Sequence, residues 1–92
     1  MQPSKIRAGN PIHPGEMLLK DFLKPSGISQ RELARRLNWP QGKVNKLVGG
    51  KLGINAETAL DLAEELKTSP EVWMNLQSTW DLHKAILERK AT

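Results

Sequence analysis

Residues 30 to 51 read QRELARRLNWPQGKVNKLVGGK, and two short amphipathic helices joined by a tight corner are written into them. Ser29 is a good N-cap, Glu32 three residues on completes a capping box, and Ile28 and Leu33 take the two positions of a hydrophobic staple. The pattern predicts a helix starting at Gln30, with Leu33, Ala34 and Leu37 on its inner face and the small Ala34 where a second helix crosses closely. Asn38 tolerates the left-handed conformation that turns the chain. Pro40 suits the first position of a new helix, where its missing N–H is not needed. That helix is expected over residues 41–48, burying Val44 and Leu47 and leaving Gln41, Gly42, Lys43, Asn45 and Lys46 outward. Gly49 and Gly50 stop it.

The outward residues suit a DNA groove. Glutamine and asparagine can pair bidentately with adenine, lysine can donate to guanine or phosphate, and Gly42 lets the helix approach closely. Gln30 at the start of the first helix, with Arg31 and Lys51, is expected to contact DNA nearby, Arg31 or Lys51 holding the phosphate backbone. A plain helical hairpin with a solvated outer face is the competing reading, and the charge distribution weighs against it. No acidic residue occurs from Leu33 through Asn55, where Arg35, Arg36, Lys43, Lys46 and Lys51 fall. Residues 1–54 hold ten Lys/Arg against three Asp/Glu, whereas residues 55–92 hold four against seven. A basic excess concentrated around a helix–turn–helix is the electrostatic footprint of a duplex binder.

At 92 residues the chain has room for one domain. There is no cysteine, hence neither a disulfide framework nor a thiolate metal site. No apolar run resembles a signal peptide or approaches a membrane span, so a soluble cytoplasmic protein is expected. Residues 1–10, with Lys5 and Arg7, read as a flexible basic arm ahead of the domain over residues 11–92.

Every strong signal beyond the arm is helical. A first helix opens after His13 with Pro14 at N1 and Glu16 at N3, where the carboxylate can reach free N–H groups, and ends at Pro25-Ser26-Gly27. After the reading helix, Asn55 caps a fourth with Ala59, Leu62, Ala63 and Leu66 on one stripe; Ser69 caps a fifth that begins at Pro70. In the fifth, Trp73, Leu76, Trp80 and Leu87 cluster within about 60° at 100° per residue. Leu82 and Ile86 lie on the opposite side. They read either as scattered surface residues or as a dimer seam, and dimeric helix–turn–helix proteins gain a second half-site about 34 Å away. The expected fold is all-α, a compact five-helix bundle.

Enzymatic readings find no support. His13 begins a helix, His83 sits on a charged segment, and neither has a nucleophile or metal ligand at motif spacing. Gly49, Gly50 and Gly53 follow no strand, so a phosphate-cradling loop is unsupported, and Glu64-Glu65 reads as a solvated face. No catalytic residue, metal or cofactor is expected. An adaptor using the two helices only for protein contact would show no salt-dependent duplex affinity.

The order HPGEMLLKDFL, GISQRELARRL, a short reading helix, GINAETALDLA and SPEVWMNLQSTWDL resembles the HigA family of bacterial antitoxins, within the phage-repressor-like helix–turn–helix proteins. The resemblance covers about residues 10–85. The helix–turn–helix is shared by many repressors; the HPGE opening, the TAL-x-LA run and the SPE-x-W-x-x-LQ-x-x-aromatic-DL segment are more specific. Local physics accounts for most of these through the fold, with caps at His13/Glu16 and Ser69/Pro70/Glu71 and core at Leu60, Leu62, Trp73 and Leu76. Asn38 and Lys67 stand where glycine is common. The resemblance implies an antitoxin that neutralises a HigB-type toxin, a messenger-RNA nuclease of the RelE class, and that binds operator DNA to repress its own operon. A phage-type repressor without a toxin is the alternative.

Overall fold

The computed structural model describes residues 11–91, and the expected basic arm over residues 1–10 lies outside them. Five helices make up the described residues. Helix α1 (residues 14–26) comprises Pro14–Met17, a π-helical stretch Leu18–Leu23, and a last turn Lys24–Ser26. It is followed by α2 (Gln30–Leu37), α3 (Gln41–Val48), α4 (Ala56–Leu66) and α5 (Pro70–Ala91). The wide turn in α1 has a local cause. Pro25 lies inside the last turn instead of ending the helix, lacks an N–H and crowds the carbonyl four residues back, so bonding shifts out by one residue and the Lys24 N–H donates to Leu19.

One device ends four of the helices. Gly27, Asn38, Gly50 and Lys67 all have positive φ, between 58° and 78°. The next residue's N–H returns in each case to a carbonyl of the helix's last turn: Ile28 to Leu23, Trp39 to Ala34, Lys51 to Lys46 and Thr68 to Ala63, at 2.8–3.1 Å. Asn38 and Lys67 thus fill the glycine's role without its freedom, and the lysine does so at a cost on the order of 1 kcal/mol.

The core is contributed by every helix: Leu18 and Leu23 from α1, Leu33 and Ala34 from α2, Val44 and Leu47 from α3, Ala59 and Leu62 from α4, and Trp73 from α5. Phe22 lies against Trp73 with ring centroids 5.6 Å apart, and the Trp73 indole N–H donates to Thr68 Oγ1 at 2.8 Å. Two expected core positions are corrected. Leu60 is 57% exposed, because the α4 stripe through Ala59, Leu62 and Ala63 turns it outward. Leu87 is 52% exposed although it is in phase with Trp73. The wheel fixes the side of the helix, but α5 runs past the body and, among the described residues, nothing covers its end.

Three local expectations are also revised. Pro40 is the N-cap of α3, one position earlier than expected. Ser29 Oγ does accept the Glu32 N–H at 3.0 Å, but the Glu32 carboxylate turns to Arg35 and Arg36, so the capping box is one-sided. At α1 the acceptor is His13 Nδ1, which takes the Gly15 N–H at 3.0 Å, while Glu16 pairs with Lys20 at 2.9 Å. The other expected caps form: Asn55 Oδ1 accepts from Thr58 at 2.9 Å and Ser69 Oγ from Val72 at 3.3 Å.

Candidate nucleic-acid interface

Helix α3 is held at both ends and free along one side. Val44 and Leu47 are fully buried, whereas Gln41, Gly42, Asn45 and Lys46 are exposed and Lys43 is half-buried. Space around Gly42 is open, and a β-carbon there would meet no atom within 4 Å. At the C-terminal end, α1 presses directly on the helix: a β-carbon on Gly15 would stand 1.8 Å from the Leu47 carbonyl oxygen. Only glycine permits that approach.

The segment after α3 is tied to α5. Gln77 Oε1 accepts the Ile54 N–H at 2.7 Å, and the Gln77 amide nitrogen donates to Asp81 at 2.9 Å. One turn of helix from Gln77, Trp80 meets the His13 ring edge-on, with centroids 5.1 Å apart. Residues 77–81 therefore brace both the loop leaving α3 and the start of the helix that abuts it. Burial lowers the His13 pKa against the opposing pull of Asp81 and Glu16, which keeps Nδ1 free to accept the capping bond.

Around this helix the cations divide into two groups. On α2, Arg35 Nε and Nη2 donate to Glu32 at 3.0 and 2.6 Å, and Arg36 Nε at 2.9 Å. Arg36 also reaches Glu65 at 3.6 Å. The Arg35 and then the Arg36 bonds hold the Glu32 pKa down at about 2. Both arginines are thus paired with carboxylates, which reduces their share of the basic footprint inferred from composition. Arg31, Lys43, Lys46 and Lys51 have no carboxylate partner among the described residues. Lys51 follows the Gly50 turn, its N–H bonded to the Lys46 carbonyl at 2.8 Å; Arg31 is exposed and Gln30 half-buried at the start of α2.

Sequence reasoning overlooked Trp39 and Gln77. Trp39, in the turn, donates its indole N–H to Asp61 Oδ2 at 3.1 Å and carries the Lys43 ammonium 4.2 Å from its ring centre. An aromatic four residues before a lysine was the available signal. Gln77 stood inside the LQ segment, but its partner, a backbone N–H 23 residues away, leaves no periodic trace. Leu82 and Ile86 are 62% and 45% exposed on the far half of α5. His83 is half-buried on the same helix, and among the described residues no group of acidic residues and histidines is placed to hold a metal. No helix among them is long and apolar enough to cross a membrane.

Known proteins share this fold. The helix-turn-helix family profile matches residues 19–73. Antitoxin HigA-1 of Vibrio cholerae is 38% identical over 72 residues, covering 78% of this chain and 68% of that protein. The structure of Pseudomonas aeruginosa antitoxin HigA with the higBA promoter superposes with a TM-score of 0.85 at 40% identity, covering 89% of each chain. An addiction module antidote protein of the HigA family from Coxiella burnetii gives a TM-score of 0.82 at 36% identity, again over 89% of each chain. With the resembling segments spread over all five helices and the fold matched nearly end to end, the chain belongs to the HigA family of helix–turn–helix antitoxins.

Proposed function

We propose that this protein is a cytoplasmic antitoxin and autorepressor. As a homodimer it binds operator DNA of its own operon and it neutralises a HigB-type messenger-RNA nuclease toxin. The observation that carries the DNA half is the outer face of α3, where Gln41, Lys43, Asn45 and Lys46 stand without a carboxylate while Val44 and Leu47 anchor the helix from behind. In this reading those four side chains meet base edges or adjacent phosphates, Gly42 allows close approach, and Gln30, Arg31 and Lys51 grip the backbone. Leu82 and Ile86 form the seam between two copies. The Pseudomonas relative, solved with its promoter, supports the DNA half, and membership of an antitoxin family supports the toxin half.

The two halves separate experimentally. Gln41→Ala with Lys46→Ala changes only exposed side chains, which typically shifts stability by about 0.5 kcal/mol or less. Repression, read as promoter activity in cells, should fail, while survival under induction of the adjacent toxin gene persists. Loss of protection by the folded variant would put the toxin on α3. Failure of the wild type to protect against any adjacent product would leave a repressor without a toxin.

A further inference from the structure

The turn between α2 and α3 holds a side chain that DNA reading, as described, does not use. Trp39 is fixed from two directions. Its backbone N–H bonds the Ala34 carbonyl at 2.9 Å, and its indole N–H donates to Asp61 Oδ2 on α4 at 3.1 Å. The ring so held presents a face to α3, and the Lys43 ammonium sits over it, 4.2 Å from the centroid. An indole face attracts a cation through its quadrupole, and tryptophan does so best. Lys43 is accordingly half-buried, whereas Lys46, one turn on, is exposed.

This contact bears on binding through order. A free lysine side chain samples many rotamers and must lose that freedom when it meets a base or phosphate. A lysine resting on a clamped ring has lost most of it already, and an ammonium with one side toward the ring still has N–H donors for a ligand.

We propose that Trp39 is a positioning residue for DNA reading: its ring, clamped by Asp61, sets the Lys43 ammonium at the start of the reading helix before DNA arrives. The proposal rests on the reading that α3 contacts DNA. Its signature is a dependence of Trp39 on Lys43 that a residue merely covering α4 would not have.

The test is a double-mutant cycle on a duplex from the protein's own operon, using wild type, Trp39→Leu, Lys43→Ala and the pair. Trp39→Leu should weaken binding about 2–5-fold when Lys43 is present and leave it unchanged in the Lys43→Ala background. Trp39→Phe, which keeps a ring face and loses the N–H, should restore part of the affinity. Proton NMR of the DNA-free protein gives a readout independent of binding. The Lys43 ε-methylene should be shifted upfield by the ring current in the wild type, and less so in Asp61→Ala, an exposed change that loosens the clamp. Equal losses in both backgrounds, or an ordinary Lys43 shift in the folded wild type, would overturn the proposal. A wild type that binds the duplex but shows no coupling sinks this proposal alone; one that binds no operon duplex sinks the functional reading with it.

Discussion

Helices α2 and α3 have the same length, eight residues each, and both bury two side chains in the same core. They differ in what becomes of their charges. Helix α2 carries its own acid, and Glu32 binds Arg35 and Arg36. Helix α3 has none, and its lysines face a tryptophan ring or solvent. A count of basic residues treats the two alike. The geometry separates them into a helix whose Arg35 and Arg36 are paired with carboxylates and a helix whose lysines are not, and a surface cation paired at 3 Å attracts a distant phosphate more weakly than an unpaired one.

The largest effect that would sharpen this contrast comes from outside both helices. In the proposed function, DNA reading by α3 gains from two copies presented one DNA turn apart, whereas the pairing of Glu32 with Arg35 and Arg36 within α2 does not depend on a second copy. Replacing Leu82 and Ile86 with glutamate should therefore give a folded monomer whose operator affinity falls about 100-fold or more. Sedimentation checks the first part and duplex titration the second. A variant that stays dimeric places the seam elsewhere.

A smaller change should make α2 resemble α3. Glu32→Gln removes the carboxylate charge that Arg35 and Arg36 share, so affinity for DNA of unrelated sequence should rise about 2–5-fold with little gain on the operator. Competition between operator and random duplex measures the ratio. An unchanged ratio would mean that the Glu32 pairs do not silence α2.

The smallest effects lie in the pH dependence of stability, and His13 and Glu32 titrate in different windows. Burial depresses the folded-state pKa of His13, so its contribution is fully present above 6.5 and is lost as pH falls through the lower folded value, when Nδ1 can no longer accept the Gly15 N–H. Glu32, held at about 2, contributes above 4.5 and loses its pairs only as pH falls toward 2. Urea unfolding should show stability declining on acidification from pH 7 to 5. The decline should flatten in His13→Asn, which can cap without titrating. An equal decline in that variant would assign the acid sensitivity to other groups.

The contrast between α2 and α3 also marks how far the sequence could be read. Helix boundaries at Gln30, Leu37, Gln41 and Val48 followed from caps, punctuation and period, because each is decided within four residues. The buried pairs were legible for the same reason. What escaped was side-chain choice among several local partners: Glu32 toward two arginines in place of Ser29, and Glu16 toward Lys20 in place of the helix N-terminus. Contacts between distant segments left still less trace. The contacts of His13 with Trp80, Gly15 with Leu47 and Gln77 with Ile54 could not be read from local pattern, and the fold shows each to join distant segments. Leu60 and Leu87 failed differently. Periodicity assigns a side of a helix but not whether a neighbour exists to cover it.

The claim that α3 reads DNA is tested most directly by titrating the operon's own duplex at several salt concentrations with wild type and with Gln41→Ala/Lys46→Ala. Wild-type affinity should fall steeply with salt. Each substitution should cost about 1–3 kcal/mol where it meets a base, and loss of a phosphate contact by Lys46 would appear as a shallower salt slope. Equal affinity and equal slope for the two proteins would contradict the account.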